Sequence, residues 1–163
     1  MPLFNARSVE DAVSLLKEQL KTYSPRVEEV DLISAFNRVL AEDVVSFENI
    51  PGFDRSTVDG FAVMARDTYG ASEAMPAILT LAGEVRMGEE THIRLSRGMA
   101  VKIPTGGMLP QNADSVVMLE YTQFLDDNTL LIEKPVALGE NVVEKGEDIK
   151  NNSVVLKKSH TLR

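Results

Sequence analysis

From Phe61 to Ile132 the apolar residues come in short β-rich runs, and turn-forming residues bound each one. The runs are Phe61-Ala62-Val63-Met64, Ile78-Leu79-Thr80-Leu81-Ala82, Ala100-Val101-Lys102-Ile103, Ser115-Val116-Val117-Met118-Leu119 and Leu130-Leu131-Ile132. Asp59-Gly60, Met87-Gly88, Gly106-Gly107 and Asp126-Asp127-Asn128 punctuate them. None is long enough for a helix, and strands this short bury a face only by stacking into a small barrel or sandwich.

The flanks read differently. Ser8 followed by Asp11 is an acidic variant of the capping box, and Val9, Ala12, Val13, Leu16 and Leu20 then recur at helical spacing. Tyr23-Ser24-Pro25 should end that helix, because a residue before proline disfavours the helical region. Val27, Val30 and Leu32 suggest a strand, residues 33–38 a brief helix, and residues 39–46 an extended stretch. Near the other end, Asn141-Val142-Val143 and Val154-Val155-Leu156 flank polar turns and read as a ribbon. The expected fold class is therefore mixed and β-rich: a small β-barrel-like module inserted in an elongated α+β segment with a β-ribbon. The expected domains are an N-terminal helix (1–26), an α+β/ribbon domain (27–50 with 140–163) and a β-barrel-like domain (51–139).

Composition narrows the function. Seventeen Lys plus Arg (17) against 25 Asp plus Glu leave a net charge of −8. Such a surface repels phosphate backbones and anionic lipid, which argues against nucleic acid or membrane as partner. The absence of cysteine excludes disulfides, thiolate metal sites and cysteine nucleophiles within the chain. His92 and His160 are the two histidines, read as surface residues, so a metal would be a hard ion on oxygen ligands, such as magnesium. Neither a leader nor a span of about 20 apolar residues is recognisable, so a cytoplasmic protein is expected.

Three polar, glycine-bearing segments can carry chemistry. In residues 51–62, Asp54, Ser56, Thr57 and Asp59 bring carboxylates and hydroxyls close together. They suit a hard cation or an oxyanion, although turn chemistry alone also explains each residue type. In residues 103–110 a strand runs into Thr105-Gly106-Gly107, where bare backbone amides beside a hydroxyl suit an anionic oxygen. The P-loop lysine is missing, and a plain Gly-Gly turn is the simpler reading. In residues 139–149, Glu147 and Asp148 are candidate ligands or a solvated turn.

In this order the three segments resemble the N-terminal half of the bacterial molybdopterin molybdenumtransferases and the matching domain of the gephyrin-type proteins, the MoeA/gephyrin E-domain family. The resemblance runs through residues 37–44, 51–63, 103–117 with Glu120, and 139–156, and covers nearly the whole chain. Phe-Asp-x-Ser-x-x-Asp-Gly-Phe-Ala is its specific motif; Thr-Gly-Gly and Gly-Glu-Asp gain weight by following it. Arg55 stands where the family usually has Asn, Asn37 where it has Gly, and Gly107 where it has Ala. None of these removes a carboxylate or the threonine hydroxyl, though Arg55 changes the charge beside the site.

The resemblance implies insertion of molybdate into adenylylated molybdopterin, with Mg²⁺ and release of AMP. By the same carry-over Asp59, Thr105 and Asp148 are the expected catalytic positions. Ser56, Gly106 and Gly107 are expected to bind substrate, and Asp59 and Asp148 to hold metal, with the division of tasks left open. Family members are longer homodimers whose pterin-binding α/β domain and small C-terminal β-domain would follow Arg163. This chain is thus expected to be a fragment or split subunit, inactive alone, with the first helix's stripe exposed or reused in a contact. The alternatives are a non-catalytic dimerisation or scaffold module of the same fold, and an unrelated β-barrel carrier domain that would explain the turns but not their order.

Overall fold

A computed structural model describes residues 7–163; residues 1–6, the start of the expected helical segment, lie outside that range. The chain forms two compact units. One takes the described chain through Glu42 together with Lys158–Arg163, and the other is Asp43–Lys157.

In the first unit α1 spans Val9–Leu20, and the Ser8 hydroxyl accepts from the Asp11 amide at 3.1 Å, as its capping position predicts. The helix ends at Leu20, ahead of Tyr23-Ser24-Pro25. Its apolar stripe buries no residue, and Leu16 is 59% exposed. The expected strand through Val27, Val30 and Leu32 is not formed, since no strand lies alongside to take its backbone groups. The expected helix over 33–38 reduces to one 3₁₀ turn, Leu32–Ser34, followed by Asn37 at φ 62°. Asparagine tolerates this left-handed conformation, so the turn forms here without a glycine. The Arg38 guanidinium pairs with Glu28, and the Leu40 amide donates to the His160 carbonyl at 2.9 Å.

In the second unit the strands are β1 (Val44–Val45), β2 (Arg55–Ser56), β3 (Gly60–Val63), β4 (Ala77–Glu84), β5 (Met99–Ile103), β6 (Ser115–Met118), β7 (Thr122–Phe124), β8 (Thr129–Ile132), β9 (Val142–Val143) and β10 (Val154–Leu156). Six of them form one sheet in the order β6-β3-β5-β4-β8-β7. It is antiparallel except between β4 and β5, where the connection crosses over and a bulge falls between Leu81 and Gly83. Although three strands separate β3 from β7, the rings of Phe61 and Phe124 meet edge-to-face with centroids 5.8 Å apart. The sheet must therefore curl into a half-barrel, with β6 and β7 as its edges.

The curl creates two apolar layers. Inside it pack Phe61, Val63, Leu79, Ala100, Val117, Leu130 and Ile132. On the other face Ala62, Met64, Val101, Ile103 and Val116 are covered by Val85 and Leu95 of the crossover. Strand β3 is buried along its whole length because it has a neighbour on each side and cover on both faces. Strand β4 instead alternates, with Leu79 buried and Ile78 65% exposed.

The ribbon expected near the C-terminal side is present but differently made. β9 pairs with β2 and β10 with β1, rather than β9 with β10. Two short strands only a turn apart in sequence thus each find a partner about a hundred residues back. No described helix is long and apolar enough to cross a membrane.

Candidate functional site

The three polar segments meet on β2. Arg55 pairs with Val143 of β9 on one side and bridges to Met108 on the other. The Ser56 amide donates to the Gly107 carbonyl at 3.0 Å, and the Gly106 amide returns a bond to the Ser56 carbonyl at 2.8 Å. The third segment is held in addition by the open edge of β6. There the Val116 amide donates to the Glu140 carbonyl (3.1 Å) and Asn141 Nδ2 to the Val116 carbonyl (2.8 Å).

The chain then turns into β3 through Asp59-Gly60. Glycine is required at that point: a Cβ on Gly60 would lie 2.0 Å from the Val117 carbonyl oxygen. On the other side of β3, the pairing of Gly60 with Ile103 brings Asp59 beside the end of β5. Asp59 Oδ1 accepts from the Thr105 amide at 2.7 Å and from Thr105 Oγ1 at 3.0 Å. Those bonds, the amide first and the hydroxyl second, hold the exposed carboxyl below the usual carboxylate range against a small opposing effect of desolvation. Asp59 is therefore an anion throughout the neutral range, and its Oδ2 makes no hydrogen bond among the described residues.

Ser56 is 2% exposed, and its hydroxyl donates to the Val58 carbonyl (2.6 Å) while accepting from the Val58 amide (3.2 Å). It shapes the loop that presents Asp59. The Thr-Gly-Gly amides expected to face an anion are all engaged: Thr105 with Asp59, Gly106 with Ser56, and Gly107 with the Pro104 carbonyl at 2.9 Å. An anion nest needs unsatisfied donors, and the fold uses these to tie the loops together. Gly107 is tightly packed, since a Cβ there would sit 2.8 Å from Ile103 and 2.9 Å from the Pro104 carbonyl.

Asp148 lies further along the third segment, exposed, with its amide on the Ile50 carbonyl at 3.0 Å. No hydrogen bond joins it to Asp59 or Thr105. Glu147 turns inward on its own loop, accepting from the Glu144 amide at 3.0 Å. Among the described residues no group of three acidic or histidine side chains could by itself hold a metal. One or two carboxylates, with substrate phosphate and water completing the shell, are nonetheless what magnesium commonly accepts. Asp59 suits that task chemically. His92 and His160 are exposed, as expected.

The fold uses two further residues here: Asn49, which no sequence signal marks, and Asp54, which reads from sequence as a candidate ligand and instead ties two loops together. Asp54 Oδ1 accepts from the Lys145 amide at 2.7 Å, and Asn49 Oδ1 accepts from the Asn151 amide at 2.9 Å. Asp54 stood in plain view within the first segment, but its partner is 91 residues away.

The family description for the MoeA N-terminal region (domain I and II) matches residues 7–163. A Methanocaldococcus jannaschii protein named for molybdopterin biosynthesis is 40% identical over 161 residues, covering 97% of this chain and 38% of that protein. The molybdopterin molybdenumtransferase of Staphylococcus aureus (strain Mu50) is 39% identical over 133 residues, covering 82% of this chain and 32% of the relative. The crystal structure of the molybdopterin biosynthesis protein MoeA from Pyrococcus horikosii superposes with a TM-score of 0.81 at 40% identity, over 97% of this chain and 40% of that one. The chain thus spans about two-fifths or less of the length of these relatives.

Proposed function

This chain belongs to the MoeA N-terminal family, and from that premise we propose that it is the part of a molybdopterin molybdenumtransferase that supports molybdate insertion into adenylylated molybdopterin. The observation that carries the reading is the meeting of the three polar segments on β2, with the Asp59 carboxylate held against Thr105. A carboxylate kept ionised and exposed is a suitable hard ligand, and the adjoining hydroxyl can orient an oxyanion. Asp59 and Asp148 would hold magnesium, which when bound supplies charge neutralisation at the adenylyl phosphate. Ser56, Gly106 and Gly107 support the site by fixing the loops around it, a role fitted to their engaged polar groups.

In this reading the enzyme is a cytoplasmic homodimer, regions outside the present chain contribute the pterin site, and the chain alone is inactive. The test is to assay AMP release in a complete enzyme with molybdate and adenylylated molybdopterin. Asp59→Ala and Asp148→Ala should each lower turnover about 100-fold, the scale of losing one preorganised transition-state contact, with circular dichroism unchanged. Normal turnover in both variants would end the assignment.

A second reading, a dimerisation or scaffold module without catalysis, is favoured by the exposed apolar stripe of α1. It predicts a stable dimer that gives no heat with magnesium or molybdate, which sedimentation and titration calorimetry distinguish.

A further inference from the structure

Residues 50–56 and 142–149 run antiparallel as a zipper, but one stretch of it has no backbone partner to offer. Ser56 and Arg55 pair with Val142 and Val143, and at the other end the Pro51 and Ile50 carbonyls accept from the Gly146 (2.9 Å) and Asp148 (3.0 Å) amides. Between these ends, the Asp54 carbonyl is turned the opposite way and accepts from the Leu109 amide at 2.9 Å, on the segment that carries Thr105. The gap facing the third segment is filled by the Asp54 side chain, whose Oδ1 takes the Lys145 amide at 2.7 Å. One residue thus binds both other loops, through two different oxygens.

We propose that Asp54 is a positioning residue that sets the Asp148 loop against the Thr105 loop, its carboxylate replacing a missing rung of the β2–β9 pairing. The inference rests on the proposed function for its relevance to turnover, but not for its geometry. What the role requires of residue 54 is an acceptor oxygen of the right reach. Its negative charge is secondary, so an asparagine amide oxygen can serve. The loop has other anchors in Gly146, Asp148 and Ile149, so losing this bond should loosen the Lys145 turn without unfolding the sheet.

Amide hydrogen exchange on the chain tests the geometry. Asp54→Ala should speed exchange at Lys145 by roughly tenfold or more, the scale of one hydrogen bond to a charged acceptor. Asp54→Asn should keep most of the protection. Unchanged exchange in Asp54→Ala would overturn the proposal. In a complete enzyme Asp54→Ala should lower turnover roughly tenfold and Asp54→Asn recover most of it, a rescue that general destabilisation would not produce. If Asn is as impaired as Ala, the charge itself is what matters and the positioning role is wrong. Assayed alongside, normal turnover in Asp59→Ala and Asp148→Ala would overturn the functional reading, and with it Asp54's part in turnover, even if the exchange results held.

Discussion

Thr105 approaches Asp59 with two donors, and only one of them depends on its side chain. Replacing Thr105 by Val should therefore raise the titration midpoint of the Asp59 carboxyl without bringing it fully to the ordinary value, because the amide bond is the larger cause. Because the folded state holds this carboxyl low, the contact adds stability above the ordinary carboxylate range. That contribution is lost as pH falls through the lowered folded value. Carbon-detected NMR of the side chain reads the midpoint directly, and a value unchanged by the substitution would remove the hydroxyl as a donor. Glycines offer a second comparison at this scale. Gly60→Ala meets the Val117 backbone and should cost about 3 kcal/mol or more, whereas Gly52, whose nearest neighbour would be 4.0 Å away, should tolerate Ala within about 0.5 kcal/mol. Denaturant midpoints distinguish the two. The Asp59 and Thr105 pair could be anticipated from the motif. The engagement of the Gly106 and Gly107 amides could not, because a donor's freedom depends on which carbonyl the fold brings opposite it.

Among the elements, the curled sheet should separate inner from outer residues sharply. Leu130 on β8 is fully buried in the same apolar cluster as Phe61, so Leu130→Ala should cost about 2–5 kcal/mol. Ile78 on the outward face of β4 should tolerate Ala within about 0.5 kcal/mol, and equal losses in thermal melts would contradict the half-barrel. Helix α1 buries nothing, so its own cap matters more than usual: Ser8→Ala should weaken the helix by about 1 kcal/mol and reduce the far-UV helical signal. The apolar runs announced β3, β4, β5, β6 and β8 to within a residue or two. β7 was missed because Thr122 and Gln123 carry no alternation, and its strand character comes from pairing with β8 across the Asp126–Asn128 turn. The strand expected near Val30 had the pattern but no partner.

At the scale of the molecule, Asp43–Lys157 is a half-barrel with two ribbons, and the chain belongs to the MoeA N-terminal family. Sedimentation of the chain should give twice its 17.9 kDa mass if the dimerisation-module reading is right, and a monomer at all concentrations would remove that reading. Local information sufficed for what depends on neighbours in sequence: the Ser8 cap, the run-and-turn rhythm of the sheet, the acidic surface and the motif around Asp59. Tertiary structure alone decided which strands pair, that β9 joins β2 and β10 joins β1, and that Asp54 spans two loops. The reason is physical. Periodicity and turn chemistry act over a few residues, whereas a hydrogen-bond partner a hundred residues away is chosen by how the whole sheet curls.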